Sequence, residues 1–176
     1  MEPRSSSQCA MGFGLFAWLD PTRNWESVPG RAPDLEQQSL QLASLPFGAP
    51  LESARILGRP DVLEWRSRLR KEFALLYATK GFRLRFERGK LVDVAYLVGR
   101  GASEHPSFAP SQPMAPDGTR LTGDVDRSRI VALFGEPDPG GSDETCLQVF
   151  HACGVISDFY LDERRCLREW VLYPDD

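Results

Sequence analysis

The chain has 176 residues, of which 41% are hydrophobic and 26% are charged, a composition typical of an ordinary globular protein. Its formal net charge of −4 argues against a general nucleic-acid binder, so we expect no nucleic-acid partner.

The charges are unevenly distributed along the chain. Residues 45–99 contain 11 Lys and Arg against 6 Asp and Glu, whereas residues 123–176 contain 5 Arg against 12 Asp and Glu. These segments therefore carry net charges of +5 and −7. Such an asymmetry either steers a charged partner, or lets the two halves attract each other, or reflects chance variation between solvated faces.

Residues 1–34 are predicted to form an irregular N-terminal arm. Residues 9–19 are an apolar run of 11 residues, too short to cross a bilayer, which needs about 20. We expect this run to pack on the body of a cytoplasmic protein that does not span a membrane. Export or membrane association through residues 9–19 is the alternative.

Two similar segments follow, 35–99 and 123–176, and a proline-rich linker at 100–122 separates them. Residues 56–61 and 133–138 both read apolar, apolar, Gly, charged, Pro, Asp. Each motif closes a predicted helix, at 51–57 and 126–134, because Gly suits the position after a helix end and Pro cannot continue the helix.

Strands are predicted after each helix. They lie at 73–77, 82–86 and 91–97 in the first unit, and at 146–150, 155–159 and 167–173 in the second. The segment 62–71 fits either a helix or an extended lead-in. The sequence therefore predicts an α+β fold of two tandem helix-then-antiparallel-β-meander units. Whether the two units share one continuous sheet is left undecided.

This order of helix, Leu-Gly-x-Pro-Asp, strand with an aromatic end, Gly turn and Gly-Lys-Leu hairpin resembles the repeat of the β-lactamase inhibitor protein and of small outer-membrane-assembly lipoproteins that share its fold. The resemblance covers about residues 45–99 and 123–175. It implies tandem units that form an extended sheet with a concave face, which grips another protein. A resemblance of fold supports a function only by analogy.

His151 and Cys153 share one face of a strand end, and Cys166 lies near the start of the next strand. A metal site or a Cys–His nucleophile pair is one interpretation of these three residues. Buried thiols beside a hydrogen-bonded histidine are the favoured alternative, so we expect no metal and no cofactor. Asp158 and Glu169 form a further candidate acid pair across strands, although a solvated sheet face is the preferred interpretation.

No motif in the sequence demands an enzyme, and the favoured function is a non-catalytic module that binds another protein through its sheet face. An immunity or inhibitor-type protein is the concrete version, and an envelope-associated structural protein is another alternative. The predicted binding residues are Arg83, Arg85 and Glu87 in the basic half and Asp158 and Tyr160 in the acidic half. Arginine and tyrosine are among the residues that dominate interface hot spots.

Overall fold

A computed structural model describes residues 20–36 and 39–175, and the fold is built on a single antiparallel sheet. The expectation about residues 9–19 lies outside this described part. The seven strands of the sheet are β1 (Val62–Ser67), β2 (Glu72–Tyr77), β3 (Phe82–Glu87), β4 (Lys90–Leu97), β5 (Cys146–His151), β6 (Val155–Leu161) and β7 (Leu167–Pro174). Their order across the sheet is β1-β2-β3-β4-β7-β6-β5.

Alternating side chains give the sheet two distinct faces. In β3 the residues Phe82, Leu84 and Phe86 are buried, while Arg83 and Arg85 between them are half-buried. Successive side chains of a strand point to opposite faces, so the apolar set packs into the core and the arginines lie on the other side. We call these the core face and the outer face of the sheet.

The strands β4 and β7 join the two halves of the chain. Tyr96 of β4 pairs with Trp170 of β7, and their stacked rings are 5.8 Å apart between centroids. Both side chains are fully buried, in a core cluster that continues from Phe73 in the first half to Leu147 in the second. The sheet is therefore continuous, with one core along its core face.

Two short helices pack on the core face. A 3₁₀-helix, Leu51–Leu57, buries Ala54 and Leu57, and the α-helix α1, Arg127–Phe134, buries Ile130. The side chain of Asp126 caps α1 by accepting a hydrogen bond of 2.8 Å from the backbone N–H of Arg129.

The predicted fold class is wrong. The described chain is mostly one antiparallel seven-stranded sheet with little helix, and it is not an α+β arrangement of two helix-then-meander units. The first predicted helix is a 3₁₀-helix of seven residues, and the ambiguous segment 62–71 supplies strand β1. The first half therefore contributes four strands and the second half three, so the halves do not repeat the same elements.

The proline-rich segment 100–122 packs against the sheet. Ala115 and Leu121 are fully buried in the main core, and the N–H of Ser111 donates to the carbonyl of Leu97 at 2.9 Å. No helix within the described residues is long and apolar enough to cross a membrane.

Candidate functional site

An open cleft of about 380 Å³ lies on the outer face, over four neighbouring strands. The strands β6, β7, β4 and β3 are separated by about 4.8 Å each, so the cleft extends across roughly 14 Å of sheet. We call this the outer-face cleft. It is lined by Arg83, Arg85, Asp93, Asp158, Tyr160, Glu169, Val171 and Tyr173.

Small side chains form the middle of this surface. Asp158 of β6 lies opposite Val171 of β7, and Arg83 of β3 lies opposite Ala95 of β4. Ala95 is fully buried, and it pairs with Val171 across the β4–β7 junction. The long polar side chains therefore stand around Val171, the one aliphatic side chain among the described residues that line the cleft.

Ion pairs occupy the β3 side of the cleft. The Arg83 Nη2 donates to Glu169 Oε1 at 2.8 Å, a contact that joins the basic half of the chain to the acidic half. Arg85 pairs with Asp93 through its Nε and with Glu87 through its Nη1. Both arginine side chains are about one-third exposed, so solvent screens these pairs only in part.

Neutral hydrogen-bond donors surround Asp158 on the β6 side. Tyr173 Oη donates to Asp158 Oδ2 at 3.0 Å, and Tyr160 Oη donates to the same oxygen at 3.4 Å. Gln148 Nε2 donates to Asp158 Oδ1 at 3.1 Å and also to Tyr173 Oη at 2.8 Å. These contacts fix the carboxylate between two phenol rings.

Burial perturbs the titratable groups of the cleft. It raises the pKa of Glu169 above its ordinary value, against the opposing effect of Arg83. Burial, together with the nearby charge of Asp158, raises the pKa of Tyr160 to about 12 and also raises the pKa of Tyr173. Both phenols therefore stay protonated at neutral pH, which keeps them available as donors to Asp158.

The structure brings the predicted binding residues together. Arg83, Arg85, Asp158 and Tyr160 all line the outer-face cleft, and Glu87 contacts it through Arg85. Sequence reasoning did not assign Asp93 and Tyr173 to this surface, and it gave Glu169 only as a partner of Asp158. Glu169 instead lies opposite Tyr160 and pairs with Arg83. Period-two alternation in β4 and β7 puts all three on the outer face, but it does not say which strands adjoin them.

The residues of the alternative metal or catalytic site have other contacts. His151 Nε2 lies 2.7 Å from the buried Ser157 Oγ, and burial lowers the pKa of His151. Cys166 Sγ donates to the carbonyl of Arg164 at 3.8 Å, whereas Cys153 is exposed. Within residues 20–36 and 39–175, no group of three or more His, Cys, Asp or Glu is placed to hold a metal ion.

Comparison with known proteins gives no relative from which a function could be transferred. No family model, no curated protein and no solved structure matches the chain. The geometry of the outer-face cleft is therefore the basis for assigning a function.

Proposed function

We propose that this protein is a non-catalytic module that binds another protein through the outer face of its sheet. The observation that carries the proposal is the convergence of Arg83, Arg85, Asp158 and Tyr160 from the two halves of the chain on one cleft. Functional sites are commonly concave surfaces with a few convergent polar groups.

Exposed aromatic residues beside the cleft support a protein partner. Tyr160 is 41% exposed, and Phe150, on the same face of the neighbouring strand β5, is 50% exposed. Aromatic residues are enriched at the buried centres of protein interfaces, because they cover large areas at little cost in conformational entropy. Rigid strands hold these rings, so little ordering is needed when a partner binds.

The composition of the cleft supports binding rather than catalysis. Among the described residues that line it, none is a serine, threonine or cysteine nucleophile or a histidine base. Its three carboxylates accept hydrogen bonds from arginine, tyrosine or glutamine side chains of the protein itself. Such a network fixes side-chain positions, as a rigid interface requires.

The concrete version of the proposal is an immunity or inhibitor-type protein. The feature that supports it is the net charge of −7 over residues 123–176. An acidic surface favours a basic partner, since complementary charge speeds association and excludes wrong partners.

Affinity capture from the native host tests the binding function. The purified chain is compared with a face variant, Phe150→Ala/Tyr160→Ala, and with a matched control, Ile56→Ala/Leu69→Ala. The control also removes two exposed apolar side chains, which are 60% and 98% exposed and lie outside the cleft.

We expect a stoichiometric partner that the wild type and the control bind equally and that the face variant binds about tenfold or more weakly. For the inhibitor version, the purified partner also loses its own activity when the wild type is added. A wild type that captures no stoichiometric partner contradicts the proposal, and so does a face variant that binds as tightly as the control.

A further inference from the structure

The side chains of the outer-face cleft carry more negative than positive charge. Asp93, Asp158 and Glu169 line it, against Arg83 and Arg85. Glu87 at the margin takes a further share of the Arg85 charge. A partner that brings a cation would neutralise the excess, whereas one that brings an anion would enlarge it.

Asp93 supplies an acceptor that the protein does not use. Its side chain is only 6% exposed and lines the cleft, with Oδ2 paired to Arg85. Its other oxygen, Oδ1, is buried and has no hydrogen-bond partner among the described residues. A buried carboxylate oxygen without a donor is costly, but Oδ1 is closed to solvent, so a partner's donor reaches it only if neighbouring side chains move.

Asp158, unlike Asp93, has no ion pair with a cationic side chain of the described residues. Asp158 is only 8% exposed. The three side chains that donate hydrogen bonds to it, Tyr160, Tyr173 and Gln148, are all neutral. A buried carboxylate flanked by aromatic rings favours a cation, because the anion and the faces of the rings both attract positive charge.

We propose that the partner inserts a cationic side chain, an arginine or a lysine, into the outer-face cleft beside Asp158. This inference rests on the proposed function and names the chemistry of the group that the face recognises. Val171 in the lining offers an apolar contact for an alkyl stem, and the carboxylates accept from its charged end. Arginine fits best, since its five donors can satisfy several acceptors at once.

The arginines of the cleft argue against an acidic side chain as the occupant. Arg83 is paired with Glu169 through Nη2, although its Nε is buried and has no hydrogen-bond partner among the described residues, and Arg85 is paired with both Asp93 and Glu87. An incoming carboxylate would have to compete with these ion pairs and would face the three acids of the lining.

The test uses N-acetyl-arginine amide as the probe, titrated into the isotope-labelled protein and followed by NMR chemical shifts. N-acetyl-glutamine amide serves as the uncharged probe and N-acetyl-aspartate amide as the anionic one. We expect binding on the order of millimolar for the arginine probe, with the largest shifts at Asp158, Val171 and Tyr173. The two other probes should leave these positions unshifted.

Three variants fix the location of the site. Asp158→Asn should weaken the binding of the arginine probe by about tenfold, because it removes the negative charge at nearly constant side-chain size. Val171→Lys, which builds a cation into the cleft, should abolish the cleft shifts. Glu163→Gln makes the same acid-to-amide change at an exposed position of the acidic half and should bind like the wild type. The dispersion of each amide spectrum shows that the variant is folded.

Several outcomes would overturn the inference. They are equal shifts with the glutamine probe, cleft shifts only with the aspartate probe, or an unchanged affinity in both Asp158→Asn and Val171→Lys. The capture experiment separates this failure from that of the proposed function. If the face variant loses its protein partner while the arginine probe does not bind the cleft, the binding face stands and the cationic occupant is wrong.

Discussion

Ser157 places a hydroxyl group inside the core, where it links two larger side chains. Its Oγ accepts a hydrogen bond of 2.9 Å from Trp170 Nε1, since the indole N–H can only donate. The same Oγ lies 2.7 Å from His151 Nε2, and burial lowers the pKa of that histidine, which favours a neutral ring that accepts at Nε2. His151 is thus part of a hydrogen-bonded core network, and the role weighed for it beside Cys153 draws no support from these contacts.

We predict that Ser157→Ala lowers the free energy of unfolding by about 1–3 kcal/mol, because the buried indole N–H loses its acceptor. Urea unfolding measures the difference. Ser107→Ala, at an exposed position, is the control and should stay within about 0.5 kcal/mol of the wild type. Equal stability of the two variants would show that the Ser157 hydroxyl does not stabilise the fold.

At the scale of elements, two turn glycines with the same backbone conformation have very different surroundings. Gly81 precedes β3 and Gly154 precedes β6, and both have a φ of +73°. A Cβ at Gly81 would lie 2.3 Å from the backbone N of Ser111 and 2.5 Å from the carbonyl O of Ala109. A Cβ at Gly154 would meet nothing within 4 Å. The segment after β4 therefore approaches the sheet closely at Gly81.

We predict that Gly81→Ala destabilises the protein more than Gly154→Ala. Both substitutions cost about 1 kcal/mol for the left-handed conformation, and Gly81→Ala adds about 1–3 kcal/mol from overpacking against backbone. Parallel thermal unfolding of the two variants measures this difference. Equal losses would mean that segment 109–111 moves aside without cost, contrary to the close packing described above.

Local patterns predicted most of the strands, because alternation and turn glycines act over a few residues. Phe82, Leu84 and Phe86 in β3 are the clearest case, and the helix predicted at 126–134 is an α-helix over Arg127–Phe134. The segment 62–71 stayed ambiguous, since its alternating apolar and charged residues also fit a helix face. The weight given to the similar motifs at 56–61 and 133–138 then led to a repeat of helices and meanders that the structure does not have.

The candidate site was predictable in part, for a related reason. Alternation in β3 places Arg83 and Arg85 on the face opposite the apolar residues, and alternation in β6 does the same for Asp158 and Tyr160. This inference needs no knowledge of the strand order. Recognising that they share a cleft requires the pairing of β4 with β7, which joins strands distant in sequence. No local signal specifies that pairing, so the contributions of Asp93 and Tyr173 depended on the structure.

At the scale of the whole molecule, the opposite charges of the two halves meet across the sheet. The Arg83–Glu169 ion pair lies close to the β4–β7 junction, where the basic half adjoins the acidic half. Part of the opposite charge of the two halves is thus neutralised by an ion pair within the protein. Asp158 of the acidic half has no such ion pair; it lines the cleft, and in our account it is available to a partner.

Photo-crosslinking with the partner recovered by capture tests the central claim, that the outer face is the binding surface. A benzophenone amino acid replaces either Tyr160, in the cleft, or Ile56, on the 3₁₀-helix that packs against the core face. Ile56 is the more exposed position, at 60% against 41%, so random labelling would favour it. We predict a crosslinked complex from position 160 and none from position 56. Crosslinking from position 56 alone, or equally from both, would contradict the assignment of the binding surface to the outer face.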